Sequence, residues 1–289
     1  MKHPIFNLIN SLSRIALLGL FCLFCLFSFM PLQAVAEDGC QRIISQSPYI
    51  THQLDFLGLK ECIVGASRYD KALNVANTGG LFDPDKQIIK SLNADLWIAS
   101  NWTKQALFNE IKPLVGKALR LDSFESMSQI EQNLSLILHT LDRTDLQAKV
   151  DDFAHNWRNQ AKAINAQGQR VLLISSCSGQ PYAFGQKSYL TDLFTHAGFK
   201  VVGDNPRITH LPITQNTNAL EKLIAKTQPD TVFIFEQTLS NACRLVSLPK
   251  QTTIVTLDGH DFLQPAPTLL QGLDKLNKNP MWRLKGLTP

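Results

Sequence analysis

Apolar positions follow two rhythms along this chain, and the longest unbroken one lies at its middle. From Asp145 to Gln167 there is no Gly or Pro, and Leu146, Val150, Phe153, Trp157, Ala161 and Ile164 recur at gaps of four or three. That spacing places all six on one face of a helix. Thr144 is a candidate N-cap, Asp145 suits the positive first turn, and Gly168 closes the far end. Roughly 23 residues rising 1.5 Å each make a rod of about 34 Å. Such a rod is either a long surface helix of a single domain or a rigid spacer between two lobes.

The flanks favour the spacer. Before the central helix, RIISQ, CIVGAS, ADLWIAS and KALRLD read as strands, alternating with the helical patterns SPYITHQLDFLG (closed by Gly58), DPDKQIIKSLN (Pro84 in its first turn), TKQALFNEIKPL and SMSQIEQNLSLILHTL (Ser126 near its cap). A polar loop from Arg68 to Phe82 interrupts them. After it, the strands RVLLISS, FKVVGD, DTVFIFE and TTIVTLD alternate with the helices SYLTDLFTHAG, NTNALEKLIAKTQ and PAPTLLQGLDKLN. Near-continuously apolar strands in βα alternation predict parallel sheets covered on both faces. The fold class expected is α/β: two lobes, each with a central, mainly parallel sheet flanked by helices, joined by one long backbone helix. Ligands of such sheets bind beyond the carboxyl ends of the strands.

The first 36 residues read as an export signal. They carry Lys2 and Arg14 and no acid, then an apolar run from Ile15 to Met30, then Ala34-Val35-Ala36, a signal-peptidase pattern. An uncleaved membrane anchor is the alternative, although the run is short for one. The expected organisation is 1–36 signal peptide, 37–143 first lobe, 144–168 backbone helix and 169–289 second lobe, with the processed chain exported. Cleavage removes two of the 28 basic residues and none of the 24 acidic ones, which leaves a net charge of about +2. With no charge run, nothing points to nucleic acid or an anionic membrane. Four cysteines remain. Cys40 and Cys62 each precede a strand; if those strands are parallel neighbours, their starts fall within disulfide reach. Cys177 and Cys243 follow strands of the second sheet and are expected to pair with each other. A zinc site is the alternative, without a C-x-x-C spacing to support it.

Several segments, in order along the chain, resemble the periplasmic substrate-binding proteins of ABC importers that carry vitamin B12, ferric siderophores and haem. They are RIISQSPYITHQLDFLGLKECIVGASRYD, PDKQIIKSLNADLWIAS, PYAFGQKSYLTDLFTHAGF, TQPDTVFIF and DFLQPAPTLLQGLDKL. The resemblance implies two lobes on a backbone helix, no catalysis, no permanently bound cofactor, and a cobalt or iron chelate held between the lobes of a monomer. Cobalamin or another corrinoid is the first choice, with a ferric siderophore or haem next. Tyr69 stands where the family's B12 and haem binders often present a tyrosine, and a phenol can stack on a macrocycle or ligate iron. Arg68 could fork onto a ligand carboxylate. Trp102, and more weakly Phe82 and Leu81, sit on strand-end loops, with Gly79 and Gly80 permitting close approach. The second lobe would offer Tyr182, Phe184 and Tyr189, then His260, Asp261 and Phe262. Where the B12 binder uses an aspartate and an arginine of the last loop, this chain has His260 and Gln264.

Two alternatives follow from the same matching. The wider group includes bare-ion binders, for which His52, His210 and His260 are the candidate ligands, with Asp261 or Asp204. The family also docks on its permease through a glutamate on an outer helix of each lobe, but the matching positions hold Gln87 and Lys222, with Asp85 and Glu221 close by. An exported hydrolase is the third reading. It has little to stand on, because G-x-S-x-G, G-x-G-x-x-G and P-loop patterns are all missing from the sequence.

Overall fold

A computed structural model describes residues 40–176, 181–203, 205–214, 217–236 and 252–279. The expected signal peptide, Cys177, Cys243 and Asp204 lie outside these residues. No described helix is long and apolar enough to cross a membrane.

The first sheet contains β1 (Ile43–Ser45), β2 (Ile63–Ala66), β3 (Ala76–Asn77), β4 (Leu96–Ser100) and β5 (Lys117–Leu121), in the order β3-β2-β1-β4-β5. All pairs are parallel, with Ile43 opposite both Ile63 and Leu96. Both faces are buried, as the continuous apolar strands require. Leu96 and Ile98 point to one core, while Trp97 and Ala99 point to another shared with Ile89, Phe108 and Ile111. Those last three belong to α2 (Lys86–Ser91) and α3 (Gln105–Ile111), whereas α1 (Pro48–Leu57) and α4 (Met127–Thr140) cover the other face. The N-cap of α2 is Asp85, one residue beyond Pro84; its carboxylate accepts from the Gln87 and Ile88 amides.

Cys40 and Cys62 are bonded at the starts of neighbouring strands, with Cα atoms 5.3 Å apart. Closing a loop of 22 residues restricts the unfolded chain. Changing both cysteines to serine is expected to lower unfolding stability by about 3 kcal/mol. A denaturant midpoint unchanged by the double substitution, or by reduction, contradicts that.

The central helix α5 runs Gln147–Ile164, shorter than its apolar pattern suggested. A 3₁₀ turn, Thr144–Leu146, precedes it. The helix ends because Asn165 takes a left-handed φ of 49°, three residues before Gly168. Asparagine tolerates that conformation almost as glycine does. Val150, Phe153, Trp157, Ala161 and Ile164 are buried, the face the spacing predicts, while Leu146 is only half-buried in the turn before it.

The second sheet is built from β6 (Arg170–Ile174), β7 (Tyr182–Ala183), β8 (Lys200–Val201), β9 (Thr209–His210) and, after the hairpin β10 (Ile213–Thr214) and β11 (Thr217–Asn218), β12 (Thr231–Glu236) and β13 (Thr253–Asp258). Its order is β13-β12-β6-β7-β9, with β8 also on β6. The pairs β13-β12, β12-β6 and β6-β8 are parallel, and β6-β7 and β7-β9 are antiparallel. Helices α6 (Tyr189–His196), α7 (Ala219–Thr227), the short α8 (Gly259–Phe262) and α9 (Leu269–Lys278) are the other helices among the described residues of this lobe.

One buried cluster runs from Ile43, Ile63 and Leu96 of the first sheet through Phe153, Trp157 and Ala161 of α5 to Val171, Leu173 and Phe233 of the second. Polar contacts cross the same seam. The Met127 amide donates to Asp192 Oδ2 at 2.8 Å, the Tyr189 amide to the Phe124 carbonyl at 3.0 Å, and Gln53 Nε2 to the Pro265 carbonyl at 2.9 Å. The two sheets therefore share a core as well as a connecting helix.

Candidate functional site

Order reverses in the first sheet between β1 and β4, and the carboxyl ends of strands at such a switch point are where α/β sheets hold ligands. Gln46, fully buried just past β1, organises this edge. Its Oε1 accepts from Trp97 Nε1 and Thr78 Oγ1, each at 3.1 Å, and its Nε2 donates to the carbonyls of Thr78 (3.2 Å) and Gly80 (3.1 Å). Every polar atom of the side chain is satisfied, which fixes the loop leading to Phe82. Gly79 has φ +87°, and a Cβ there would lie 2.5 Å from the Asp83 carbonyl. The positive φ and the crowding around it account for a glycine at this tight turn.

Thr103 Oγ1 ties this loop to the next by donating to the Leu81 carbonyl at 2.7 Å. Arg120, on β5, then clamps the turn carrying Trp102: its Nη2 donates to the Asn101 carbonyl at 2.6 Å and its Nε to the Thr103 carbonyl at 3.1 Å. Trp102 is held out at 46% exposure, beside Phe82 at 60%, and Tyr69, three residues past β2, is 52% exposed. Leu81, by contrast, is buried. The Phe82 and Trp102 rings stack at 6.0 Å, and Trp102 lies 5.2 Å from Phe124, which meets Tyr189 of the second lobe at 6.5 Å. An aromatic row therefore runs from the first lobe's outer rim to the seam. Large apolar side chains held exposed together on a polar-braced edge mark a binding surface.

Replacing Arg120 with methionine should leave the sheet paired but free the Trp102 turn. The expected result is about a tenfold loss of affinity for whatever stacks on Trp102, roughly 1.4 kcal/mol. A titration showing unchanged affinity would mean the clamp does not matter.

Arg68 does not stand free for a ligand carboxylate. Its Nη2 pairs with Asp83 Oδ2 at 2.5 Å, so both charges at this rim are already matched. Asp70, in the turn after Tyr69, accepts from Ser67 Oγ, and burial raises its carboxyl above the usual range. His52 on α1 is half-buried, and burial pushes its imidazole below the ordinary value. Asp70 and Asp55 pull against that shift, while Lys60 and His260 add to it.

The second lobe corrects several expectations. Phe184 is 5% exposed with its ring 5.9 Å from Phe235, and Phe262 is 1% exposed, 5.1 Å from the same ring. Both are core residues. Phe262 fits because Gly272 of α9 has no side chain; a Cβ there would lie 2.6 Å from its ring. Tyr189 is buried too, its hydroxyl donating to the Phe262 carbonyl at 2.7 Å. Tyr182 alone of that aromatic group is half-buried, packed edge-on against Phe184 and His210, and burial raises its phenol pKa. His260 is exposed at the end of β13, its Nδ1 3.0 Å from Asp258 Oδ1. Asp261 is buried and paired with Lys275 at 2.6 Å.

The bare-ion alternative is not assembled. Among the described residues, no group of three His, Cys, Asp or Glu side chains could hold a metal ion, and His210 packs on Tyr182 at the β7–β9 edge. Of the candidate docking residues, Gln87 and Lys222 are exposed on α2 and α7, Asp85 caps α2, and Glu221 is half-buried. Phe124 was missed in the sequence, although it follows β5 as Tyr69 follows β2, three residues past the strand end.

No family model matches the sequence, and neither does any curated protein. Solved structures do match. The periplasmic vitamin B12 binding protein BtuF of Vibrio cholerae superposes with a TM-score of 0.68 at 17% identity, over 86% of this chain and 98% of that one. The periplasmic heme-binding protein BhuT, in complex with two hemes, gives 0.67 at 18%, over 82% and 97%. The siderophore binding protein BauB, bound to ferric iron and two molecules of acinetobactin, gives 0.65 at 16%, over 82% and 92%. At these identities the likeness defines architecture, and the chain has the two-lobed α/β fold of periplasmic substrate-binding proteins.

Proposed function

We propose that this chain is an exported binding protein that captures a planar metal macrocycle between its two lobes and delivers it to an ABC importer, without catalysing a reaction. The carrying observation is the braced, stacked pair of exposed rings Phe82 and Trp102 at the carboxyl edge of the first sheet, with Tyr69 also exposed just past β2. Faces of that kind suit a large flat ring. The likeness to proteins whose names give vitamin B12, heme and a ferric siderophore as ligands supports the chelate class.

Charge orders the choices. Both arginines on this edge are engaged, Arg68 by Asp83 and Arg120 by two carbonyls, so a polyanionic ferric chelate would find few counter-charges. A corrinoid comes first. Haem is the second reading, favoured by the exposed Tyr69 phenol, which could ligate ferric iron. The lobes are 37–143 and 169–289 in this reading, and because they share a core, closure on the ligand is a small movement. Small-angle scattering should show no large compaction on loading; a large one contradicts the shared-core account. Delivery would use the outer faces of α2 and α7, near Asp85, Gln87, Glu221 and Lys222.

The test is calorimetric titration of the purified protein with cyanocobalamin, haemin and a ferric siderophore in parallel. One-to-one submicromolar binding of a macrocycle, with the siderophore much weaker, is expected. Tighter binding of the siderophore than of either macrocycle, or no heat from any of the three, would overturn the reading.

A further inference from the structure

The last strand-end loop carries a metal donor that the aromatic row does not explain. Asp258, the final residue of β13, accepts twice at Oδ1: from the backbone amide of His260 and from its Nδ1, both at 3.0 Å. Its Oδ2 faces Lys275 Nζ at 3.8 Å, and Lys275 donates to the buried Asp261 at 2.6 Å. A carboxylate oxygen accepts from a ring N–H, so the contact selects the tautomer protonated at Nδ1, in which Nε2 bears the lone pair. The imidazole is 68% exposed. A histidine with one nitrogen fixed by a carboxylate and the other open is the usual arrangement of a metal ligand.

A single imidazole does not hold a bare ion, and the described residues assemble no three-ligand site around one. The donor is therefore of use only to a metal that arrives with its other positions filled. We propose that His260 Nε2 is an axial ligand to the metal of the captured macrocycle, with Asp258 as the residue that positions it. This rests on the macrocycle reading and narrows it, because the cargo must present an exchangeable axial position. A corrinoid or haem with axial water qualifies; a ferric siderophore that fills all six positions does not. In the ligation step the metal–water bond breaks, water leaves, and the Nε2 lone pair forms the new bond, with no change in oxidation state. His260 comes from the second lobe, so the bond would tie the cargo to the lobe opposite Phe82 and Trp102.

The experiment compares aquocobalamin, whose axial water exchanges, with cyanocobalamin, whose axial position is blocked. Binding should shift the visible bands of aquocobalamin as free imidazole does. In His260→Ala the shift should vanish, return on adding imidazole, and the affinity loss for aquocobalamin should exceed that for cyanocobalamin at least tenfold. Asp258→Asn keeps a competent helix cap and should weaken water displacement several-fold. If haemin binds and the cobalamins do not, the same comparison is read in the Soret band. Binding with an unshifted spectrum, or a shift that survives in His260→Ala, overturns axial ligation and leaves the macrocycle reading standing. Failure of both macrocycles to bind overturns that reading and the ligation with it.

Discussion

Changing Phe82 and Trp102 together to alanine should weaken macrocycle binding by close to a thousandfold, about 4 kcal/mol, with little change in folding stability. The two rings are 60% and 46% exposed, so the free protein gains little from burying them. They stack on each other at 6.0 Å and Trp102 rests on Phe124, which limits the ordering they require when a ligand arrives. Covering such a pair with a flat ligand gives each ring about 2 kcal/mol, the range of aromatic anchors at binding sites. The check is paired: titration for affinity and a denaturant curve for stability. A loss under tenfold would move the ligand away from this edge, and a large stability loss would mean the rings are structural.

The reverse pattern is expected at Trp157. Alanine there should cost about 4 kcal/mol of stability, and with it on the order of 10 °C in Tm. Its ring is 1% exposed on the face of α5 that both lobes share. The indole Nε1 donates to Glu131 Oε1 of α4 at 2.7 Å, the Arg158 guanidinium sits 4.6 Å over the ring, and His196 of α6 meets it at 5.0 Å. Truncation therefore opens a cavity, takes a partner from Glu131, and loosens contacts to elements of both lobes at once. Thermal unfolding of Trp157→Ala measures it; a Tm within a few degrees of the parent would contradict the description of α5 as the shared core.

Much of this architecture could be read from the residues because parallel strands buried on both faces are apolar almost without break. Trp97 and Ile98 illustrate it, neighbours in one strand feeding opposite cores. The buried face of α5 was equally legible, residue by residue, but its end was not, since Asn165 could stop the helix before Gly168 did. The two-residue strand β3 and the antiparallel β7–β9 extension escaped because they are too short to establish a period. At the site, Tyr69, Phe82 and Trp102 stood out as large rings on polar loops, and they are exposed. Phe184 and Phe262 looked the same in sequence, yet they fill the core. Gly272, a glycine inside an otherwise regular helix, was the available sign that a ring packs closely there. Arg120 was invisible as a brace because its partners are backbone carbonyls that no side-chain pattern reveals, and Gln46 because its partners, two carbonyls, Trp97 and Thr78, lie more than 30 residues away in sequence.

The most direct test of capture between the lobes is amide hydrogen exchange of the purified protein, with and without the macrocycle that binds best. Protection should appear on both strand-end edges together: residues 68–82 and 101–103 of the first lobe, and 182–184 and 259–262 of the second. Protection confined to one lobe, or falling instead on the outer groove lined by Glu131, Leu136, His139 and Asp151, would contradict it.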